Sequence, residues 1–391
     1  MQRILVSILG IVLLLAAPVS SSIILFSPAS DSLSSLGVMD ITDGPGTTVL
    51  LATDNGRSIF NGTWEIVHVN RAEYQRGPLG DFVTALEYDH HMRLWIGYSN
   101  GLQILEGSVY TTINDQQLLK NLAINDLRRR GDEMWVATGH AGLHRYRDGT
   151  WTWFRPHGAS GLGSYEIRSM AVDYVTGALY CAADDGAMWI FDDSGDTFSR
   201  VGSCDIVLCA PTSLVSCPFG GIACFNATAV YRVGPDRRVQ LLADAVDLPW
   251  HTASITGIAF MDDGTLVIGT DRGIVFWHDG TATRVLTQKD GIGDQMIKRV
   301  YVDNAGRIWF FNRIYAGMVI PDAADDPLVI AAPTAAPAPL PAGSCDTTTP
   351  PLDTPPGDGM GEKSPSSRPA TILDAIRSAL EAFFGMVAGA A

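Results

Sequence analysis

One motif recurs seven times along this 391-residue chain, and its spacing constrains the fold more than any other feature. The clearest copies read LWIGYSNGLQIL from Leu94, MWVATGHAGLHRY from Met134 and LVIGTDRGIVFW from Leu266. The other copies begin at Val49, Leu179, Ile222 and Ile308. A period of roughly 40–45 residues is the length of a four-stranded propeller blade. The sequence therefore predicts an all-β fold, a seven-bladed β-propeller of four-stranded blades.

Each copy also contains the turns that a blade requires. An apolar first strand such as Ile255–Phe260 precedes the motif. An Asp- or Asn-bearing turn connects this first strand to the motif. Asn-Gly or Asp-Gly pairs, as at Asn100-Gly101, then reverse the chain, which is a strong hairpin signal. The motif strands are apolar at nearly every position, which indicates burial on both faces. Large aromatic residues in them, such as Trp95 and Trp309, are expected to fill the space between blades.

These copies resemble the two-component regulator propeller repeat, over about residues 37–332. The turn and strand Asp303-Asn304-Ala305-Gly306-Arg307-Ile308-Trp309 resembles the first half of that repeat, and Leu94-Trp95-Ile96-Gly97 with Gly101-Leu102 resembles the second. In that family, such propellers usually form the extracytoplasmic sensing part of membrane histidine kinases. No kinase-like segment follows the repeats here, so we do not expect the resemblance to imply a signalling output.

The first 26 residues predict export from the cytoplasm. A short positive start, Met1-Gln2-Arg3, precedes an apolar run, and the small residues Ser20–Ser22 suit a signal peptidase. The uncharged stretch Ile4–Phe26 is also long enough to cross a bilayer. Residues 1–26 are therefore either a cleaved signal peptide or an N-terminal membrane anchor. Either alternative places the propeller outside the cytoplasm, secreted or membrane-anchored.

Two segments compete to complete blade seven, which needs an outer strand. One is Leu328–Ala331, whose distance along the chain from the third strand is similar to that in other blades. The other is Ile23–Phe26, which could close the ring with the opposite end of the chain. On the spacing, we expect Leu328–Ala331 to form this strand.

The composition changes after the repeats. Residues 333–370 are rich in Pro, Thr, Ala and Gly and predict a disordered linker. Residues 371–391 regain a helical period, with Ile372, Ile376 and Leu380 on one stripe, and predict a short amphipathic helix. Such a helix could dock on a partner protein or on a second copy of the chain, or it could lie on lipid.

Four of the six cysteines cluster in blade five and are expected to form local disulfides in an exported protein. They are Cys204, Cys209, Cys217 and Cys224. The repeat alignment places Val215 opposite Cys224 and makes Cys217 its diagonal neighbour. Asn61 and Asn226 begin triplets that match the glycosylation pattern, both on expected turns.

The charge and the motifs argue against several functions. The net charge of −15 would repel phosphate backbones, so nucleic acid is not an expected partner. No metal or cofactor motif is present. His90-His91 lacks further ligands, and Arg128-Arg129-Arg130 is interpreted as a solvated charge run on a turn. No catalytic constellation stands out, so we do not expect an enzyme.

Propeller geometry predicts where a ligand would bind. The connections between blades and the turns joining second and third strands share one rim, and long loops on a rigid scaffold often carry function. The residues expected to line this rim are Tyr74, Arg76, Asn100, His140, His157, Asp185, Trp250, His251 and Arg272.

Three functions follow from these observations. The first is an extracytoplasmic module that binds a small ligand or a protein, a role that includes the sensor or interaction module of a signalling system. The second is an extracytoplasmic propeller enzyme, a lyase or hydrolase acting on a glycan or lactone, which would require a histidine and carboxylate cluster at the central channel. The third is a structural cell-surface protein.

Overall fold

The fold is a ring of seven antiparallel blades, as the repeat predicts. The computed structural model describes residues 22–70, 76–113, 119, 122–201, 213–251 and 253–320. These residues belong to one compact unit. Each blade is a sheet of four strands, and consecutive strands pair as hairpins in six of the seven blades.

The first four blades take up the chain from Val38 to Arg200. Their strands are β2 Val38–Asp43, β3 Val49–Thr53, β4 Gly56–Phe60 and β5 Trp64–Val67; β6 Val83–Tyr88, β7 Leu94–Tyr98, β8 Gly101–Glu106 and β9 Val109–Thr112; β10 Ile124–Arg130, β11 Glu133–Thr138, β12 Leu143–Arg147 and β13 Thr150–Phe154; β14 Ile167–Val172, β15 Leu179–Ala183, β16 Met188–Asp192 and β17 Thr197–Arg200.

The last three blades complete the ring. Their strands are β18 Leu214–Ser216, β19 Ile222–Phe225, β20 Ala229–Val233 and β21 Val239–Asp244; β22 Ile255–Phe260, β23 Leu266–Thr270, β24 Gly273–His278 and β25 Thr281–Leu286; β26 Arg299–Val302, β27 Ile308–Phe311 and β28 Ala316–Ile320, joined by β1 Ser22–Phe26. All seven motif copies form second strands, at β3, β7, β11, β15, β19, β23 and β27.

Apolar clusters between neighbouring blades form the core. In the cluster between blades three and four, Trp135 is fully buried and its ring centroid lies 4.8 Å from that of Phe191. Because each second strand is buried on both faces, its side chains pack alternately on the preceding and the following blade. This confirms the expectation that the large aromatic residues of the motif fill the space between blades.

The turns before Trp95 and Trp309 explain the Asp-x-x-x-Arg-x-Trp part of the motif. In blade seven, the indole Nε1 of Trp309 donates to Asp303 at 2.7 Å, and Arg307 donates to the same carboxylate oxygen at 2.6 Å. Asp89 receives the same two bonds from Trp95 and Arg93 in blade two. The motif is thus structural, because it satisfies a buried indole N–H that would otherwise lack a partner.

The ring closes through the N-terminus, so the prediction that Leu328–Ala331 supplies the outer strand of blade seven is wrong. Strand β1 runs antiparallel to β28, with Ile23 opposite Val319. The Phe26 ring lies 5.4 Å from Phe60 of blade one. The N-terminal strand buries these apolar groups and contacts blades seven and one at once. The spacing of residues along the chain gives no information on such a contact between its two ends. The described part of the propeller therefore begins at Ser22, and Leu328–Ala331 lies outside the described residues.

The predicted placement of Cys217 as the diagonal neighbour of Cys224 is also wrong. Strand β18 pairs Leu214, not Val215, with Cys224. A shift of one residue moves a side chain to the other face of a sheet. Accordingly, Cys217 packs between blades five and six, whereas Cys224 packs between blades four and five. Cys204 and Cys209 lie outside the described residues.

The predicted linker and C-terminal helix, residues 333–391, and most of the N-terminal export segment lie outside the described residues. Within the part of the chain that is described, no helix is long and apolar enough to cross a membrane. Cleavage, anchoring and the role of the C-terminal helix stay predictions.

Candidate functional site: the central channel

The seven inner strands surround a central channel with a volume of about 890 Å³. Residues from β2, β6, β10, β14, β18, β22 and β26 or their flanking turns all contribute to its lining. The upper mouth is the end at which these strands begin, beside the connections between blades. The lower mouth is the end at which they turn into the second strands.

Strand pairing aligns the inner strands residue by residue and defines two rings of side chains. The upper ring consists of Asp40, Ala85, Asp126, Ser169, Ser213, Gly257 and Arg299. The lower ring, two residues further along each strand, consists of Thr42, Glu87, Arg128, Ala171, Val215, Ala259 and Tyr301.

The two halves of the channel differ in chemistry. Blades seven, one, two and three supply every charged residue of the two rings, together with Tyr301. Blades four, five and six supply only small or uncharged residues, such as Ser169, Ala171 and Gly257. We call these the charged half and the small half.

Upper-ring side chains connect neighbouring blades through backbone N–H groups that face the channel. Asp40 accepts from the Leu86 N–H at 3.0 Å, and Asp126 accepts from the Met170 N–H at 2.6 Å. Ser169 accepts from Leu214 in the same way at 3.0 Å. In each case the acceptor belongs to one blade and the donor to the next. These three contacts, which we call latches, hold the inner edges of the blades together.

Asp126 is the most heavily bonded group in the channel. Its carboxylate also accepts from the Leu127 N–H at 2.9 Å and pairs with Arg128 at 3.1 Å. Burial raises the pKa of Asp126 to about 6, and the positive charge of Arg128 opposes the rise. Arg128 in turn donates to the carbonyl oxygens of Met170 and Leu127. Burial alone would lower the pKa of Arg128, but the surrounding carboxylates raise it above its usual value.

Glu87 and Arg299 are held less tightly. Burial raises the pKa of Glu87 to about 7, and the positive charge of Arg128 opposes the rise. Within the described part of the chain, the one hydrogen bond to its side chain comes from the Tyr88 N–H at 3.0 Å. Arg299 lies 4.0 Å from Asp40 and is 36% exposed. Burial lowers the pKa of Arg299. No hydrogen bond of its guanidinium is recorded among the described residues, so its donors face the channel.

Tyr301 lies below Arg299 on the same strand. Its hydroxyl donates to Asp43 of blade one at 2.9 Å. Burial and the neighbouring Asp43 raise the pKa of Tyr301 well above its usual value, so it stays protonated. It therefore acts as a neutral hydrogen-bonding group at the lower end of the charged half.

The rim residues predicted from the sequence occupy the expected end of the propeller, but none of those described lines the channel. They are spread over the loops of blades two to six, and most are exposed. Their recorded contacts are local: Asp185 accepts from the Ala187 N–H, and the His251 ring lies 2.6 Å from the Val246 carbonyl. Tyr74 lies outside the described residues. Binding at this rim stays a prediction.

The other sequence interpretations have mixed outcomes. Arg128, Arg129 and Arg130 lie within strand β10, not on a turn, so the interpretation as a turn is wrong. His90 and His91 do occupy the turn between β6 and β7, with ring centroids 3.8 Å apart. No group of three metal-ligating side chains is found among the described residues. Asn61 and Asn226 lie on turns, and their glycosylation stays a prediction.

The channel residues were not predicted from the sequence because the first strands were interpreted only as apolar. Charged residues within these strands were the available signal. Glu87 lies in VTALEY and Arg299 begins RVYV, where an ordinary inner strand would be apolar.

The fold is similar to solved propellers. The extracellular domain assigned to a hybrid two-component system of B. thetaiotaomicron has a TM-score of 0.63 and 17% identity, over 78% of this chain and 42% of its own length. A second such domain from the same organism has a TM-score of 0.59 and 15% identity, over 76% and 39%. This chain thus spans about two-fifths of the length of these extracellular domains.

An enzyme shares the fold as well. A catalytically inactive histidine-to-alanine variant of virginiamycin B lyase from Staphylococcus aureus, solved with quinupristin, has a TM-score of 0.58 and 13% identity. The match covers 76% of this chain and 99% of the lyase. Comparison with protein families finds no match, and comparison with curated proteins finds none either. At these identities the similarity shows a shared propeller fold.

Proposed function

We propose that this chain is an extracytoplasmic binding module whose central channel holds a small ligand. The observation that carries the proposal is the guanidinium of Arg299, which faces a channel of about 890 Å³ without a recorded hydrogen bond. Ligand sites are commonly cavities of roughly 300–1,000 Å³ with a few convergent polar groups. The small half leaves room for a ligand opposite the charged half.

An extracytoplasmic location is supported by the N-terminal sequence and by the extracellular sensor domains that share the fold. A sensor role would require the bound state to be passed to another protein. The rim formed by the loops between blades is the natural surface for that contact, because it surrounds the upper mouth of the channel.

A lyase is the second candidate function, because the match to this chain covers 99% of the length of virginiamycin B lyase. A histidine-to-alanine variant of that enzyme is catalytically inactive. None of the eight histidines of this chain lines the channel, and all eight lie within the described residues. Channel chemistry here would depend on carboxylates, arginines and Tyr301, an arrangement that favours binding over proton transfer by histidine.

Methionine methyl groups provide a test that requires no substitution at the site. Met39 and Met261 line the channel, whereas Met134 and Met188 are buried within blades three and four. Met296 is 40% exposed in the connection before blade seven and reports on the rim. The chain, labelled with carbon-13 at the methionine methyls, is titrated with a library of small metabolites and glycan fragments.

A channel ligand is expected to shift the resonances of Met39 or Met261 in a saturable way and to leave Met134 and Met188 unchanged. Ligands that shift only Met296 would move the site to the rim and overturn the proposal. Mass spectrometry of each bound compound after incubation separates the candidates: an unchanged compound supports binding, and a cleaved product supports the lyase.

A further inference from the structure

Alternate residues of the inner strands direct their backbone N–H groups into the channel, and one ring of seven such groups lies between the upper and lower rings of side chains. In blade seven, the Asp303 N–H bonds to the Arg307 carbonyl, and hydrogen-bonded pairs alternate along an antiparallel ladder. Val300 therefore lies between two bonded pairs, and its N–H faces away from β27. The same register holds for the equivalent residue of each inner strand. The seven are Ile41, Leu86, Leu127, Met170, Leu214, Ile258 and Val300.

Four of these N–H groups have side-chain acceptors. The three latches account for Leu86, Met170 and Leu214, and Asp126 accepts from Leu127. No side-chain acceptor is recorded among the described residues for the other three, which lie on consecutive blades at the boundary of the two halves. They are Ile258 of blade six, Val300 of blade seven and Ile41 of blade one.

The missing acceptor has a simple cause at Val300. The latch position on the preceding blade is Gly257, which has no side chain. A β-carbon built on Gly257 would lie 3.3 Å from the Val300 nitrogen, so a side chain at this position would be beside that N–H. At Ile41, the preceding latch position holds Arg299, which donates hydrogen bonds and cannot accept them.

Two cations lie beside these open donors. Arg299 has no hydrogen bond recorded, and its distance to Asp40 is 4.0 Å. Lys298 lines the same part of the channel, is exposed, and has no side-chain partner recorded among the described residues. Backbone N–H groups beside guanidinium and ammonium groups are the donors that bind oxygen anions. No acceptor for the donors gathered here is found among the residues that the structure describes.

The charge of the surroundings limits the charge of the ligand. Asp40 and Glu87 lie in the same half of the channel, and the whole chain carries a net charge of −15. A dianion such as phosphate would meet more repulsion here than a singly charged carboxylate. Opposite the donors, Ser169, Ala171 and Val215 leave room for the uncharged remainder of the molecule.

We propose that the channel binds the carboxylate of a small monoanionic molecule, held between Arg299, Lys298 and the open N–H groups of Val300 and its neighbours. This inference rests on the proposed function and names the ligand class of the same site. Its simplest probe is acetate.

The test is a titration of the full chain with sodium acetate against sodium chloride at constant ionic strength. The amide resonances of Val300, Ile41 and Ile258 are followed by nitrogen-15 NMR. Arg299→Gln removes the guanidinium from the site. Arg168→Gln is the matched control, because Arg168 lines the channel in the small half and pairs with Glu166.

Acetate is expected to shift the Val300 amide in a saturable way, with affinity reduced at least tenfold in Arg299→Gln and within about twofold of the parent in Arg168→Gln. Inorganic phosphate at pH 8 is expected to bind more weakly than acetate. Equal losses in both variants would indicate general attraction to positive charge and overturn the inference. Channel methionines that respond only to uncharged ligands would overturn it while leaving the proposed function intact, whereas silence of those methionines to every ligand would defeat the proposed function itself.

Discussion

The charged half and the small half of the channel have the same backbone arrangement but differ in how the channel-facing N–H groups are hydrogen-bonded. In the charged half, Asp40 and Asp126 bind channel-facing N–H groups of the next blade. In the small half, Ser169 makes the equivalent bond with a hydroxyl, and Gly257 has no side chain with which to make one. Most buried carboxylates of the channel are therefore structural. The open donors lie where the latch is missing, at the boundary of the halves.

The comparison predicts its largest effect at Asp126. The variant Asp126→Ala leaves two backbone N–H groups without their acceptor and Arg128 without its ion-pair partner, which should lower the free energy of unfolding by about 3 kcal/mol. Ser169→Ala, the matched change in the small half, removes one neutral hydrogen bond and should cost about 1 kcal/mol. Urea denaturation measures both. Equal losses would mean that the two halves do not differ as described.

In the variant Gly257→Ser, the new side chain should form the latch that is missing at Val300. Its hydroxyl would accept from Val300 as Ser169 accepts from Leu214, and it would occupy the place of the carboxylate. The affinity for acetate should fall about tenfold, equivalent to about 1.4 kcal/mol. Ala85→Ser is the control, because its neighbour Leu127 already has Asp126 as acceptor. Calorimetric titration that finds acetate binding unchanged in Gly257→Ser would contradict the donor assignment.

Glu87 should make both stability and binding depend on pH. The charged and titratable groups around it are Arg128, Arg129, Asp40 and Tyr301. Its pKa in the folded chain is about 7, above that of an unfolded glutamate, so the folded state binds the proton more tightly.

The stability supplied by this proton is complete below the unfolded pKa and is lost as the pH rises through 7. Between pH 6 and pH 8 the loss should be about 1 kcal/mol, after discounting for solvent in the channel. Over the same range, acetate should bind more weakly as Glu87 gains its charge. Glu87→Gln should remove this part of both dependences, and denaturation curves at the two pH values measure it. An unchanged pH slope in Glu87→Gln would rule out Glu87 as the titrating group.

The sequence was sufficient to predict the fold because the repeat carries it. The apolar second strands, the Asn-Gly and Asp-Gly turns and the aromatic residues such as Trp95 recur at the blade period, and local hairpins join all four strands in six of the seven sheets. The closing strand Ser22–Phe26 was not predicted as the favoured alternative, since its pairing with β28 joins opposite ends of the chain. The register of Cys217 and Cys224 was not predicted correctly, because the short strand LVS has apolar residues at two consecutive positions. The sequence pattern there fits two registers that differ by one residue.

The site was harder to predict than the fold. A search for long loops led to rim residues such as His157 and Trp250, whereas the channel groups lie inside regular strands. Arg299 and Gly257 become informative only after the blades are aligned and the direction of each backbone N–H is known. That information depends on strand register, which the sequence analysis assigned only approximately.

The most direct test of the channel as a carboxylate site is a crystal structure of the chain soaked with 4-iodobenzoate, located by the anomalous signal of iodine. The account predicts a carboxylate within about 3 Å of the Arg299 guanidinium and the Val300 nitrogen, with the iodine directed toward Ala171 and Val215. Iodine found only on the rim or on the outer strands, with the channel empty of ligand, would contradict it.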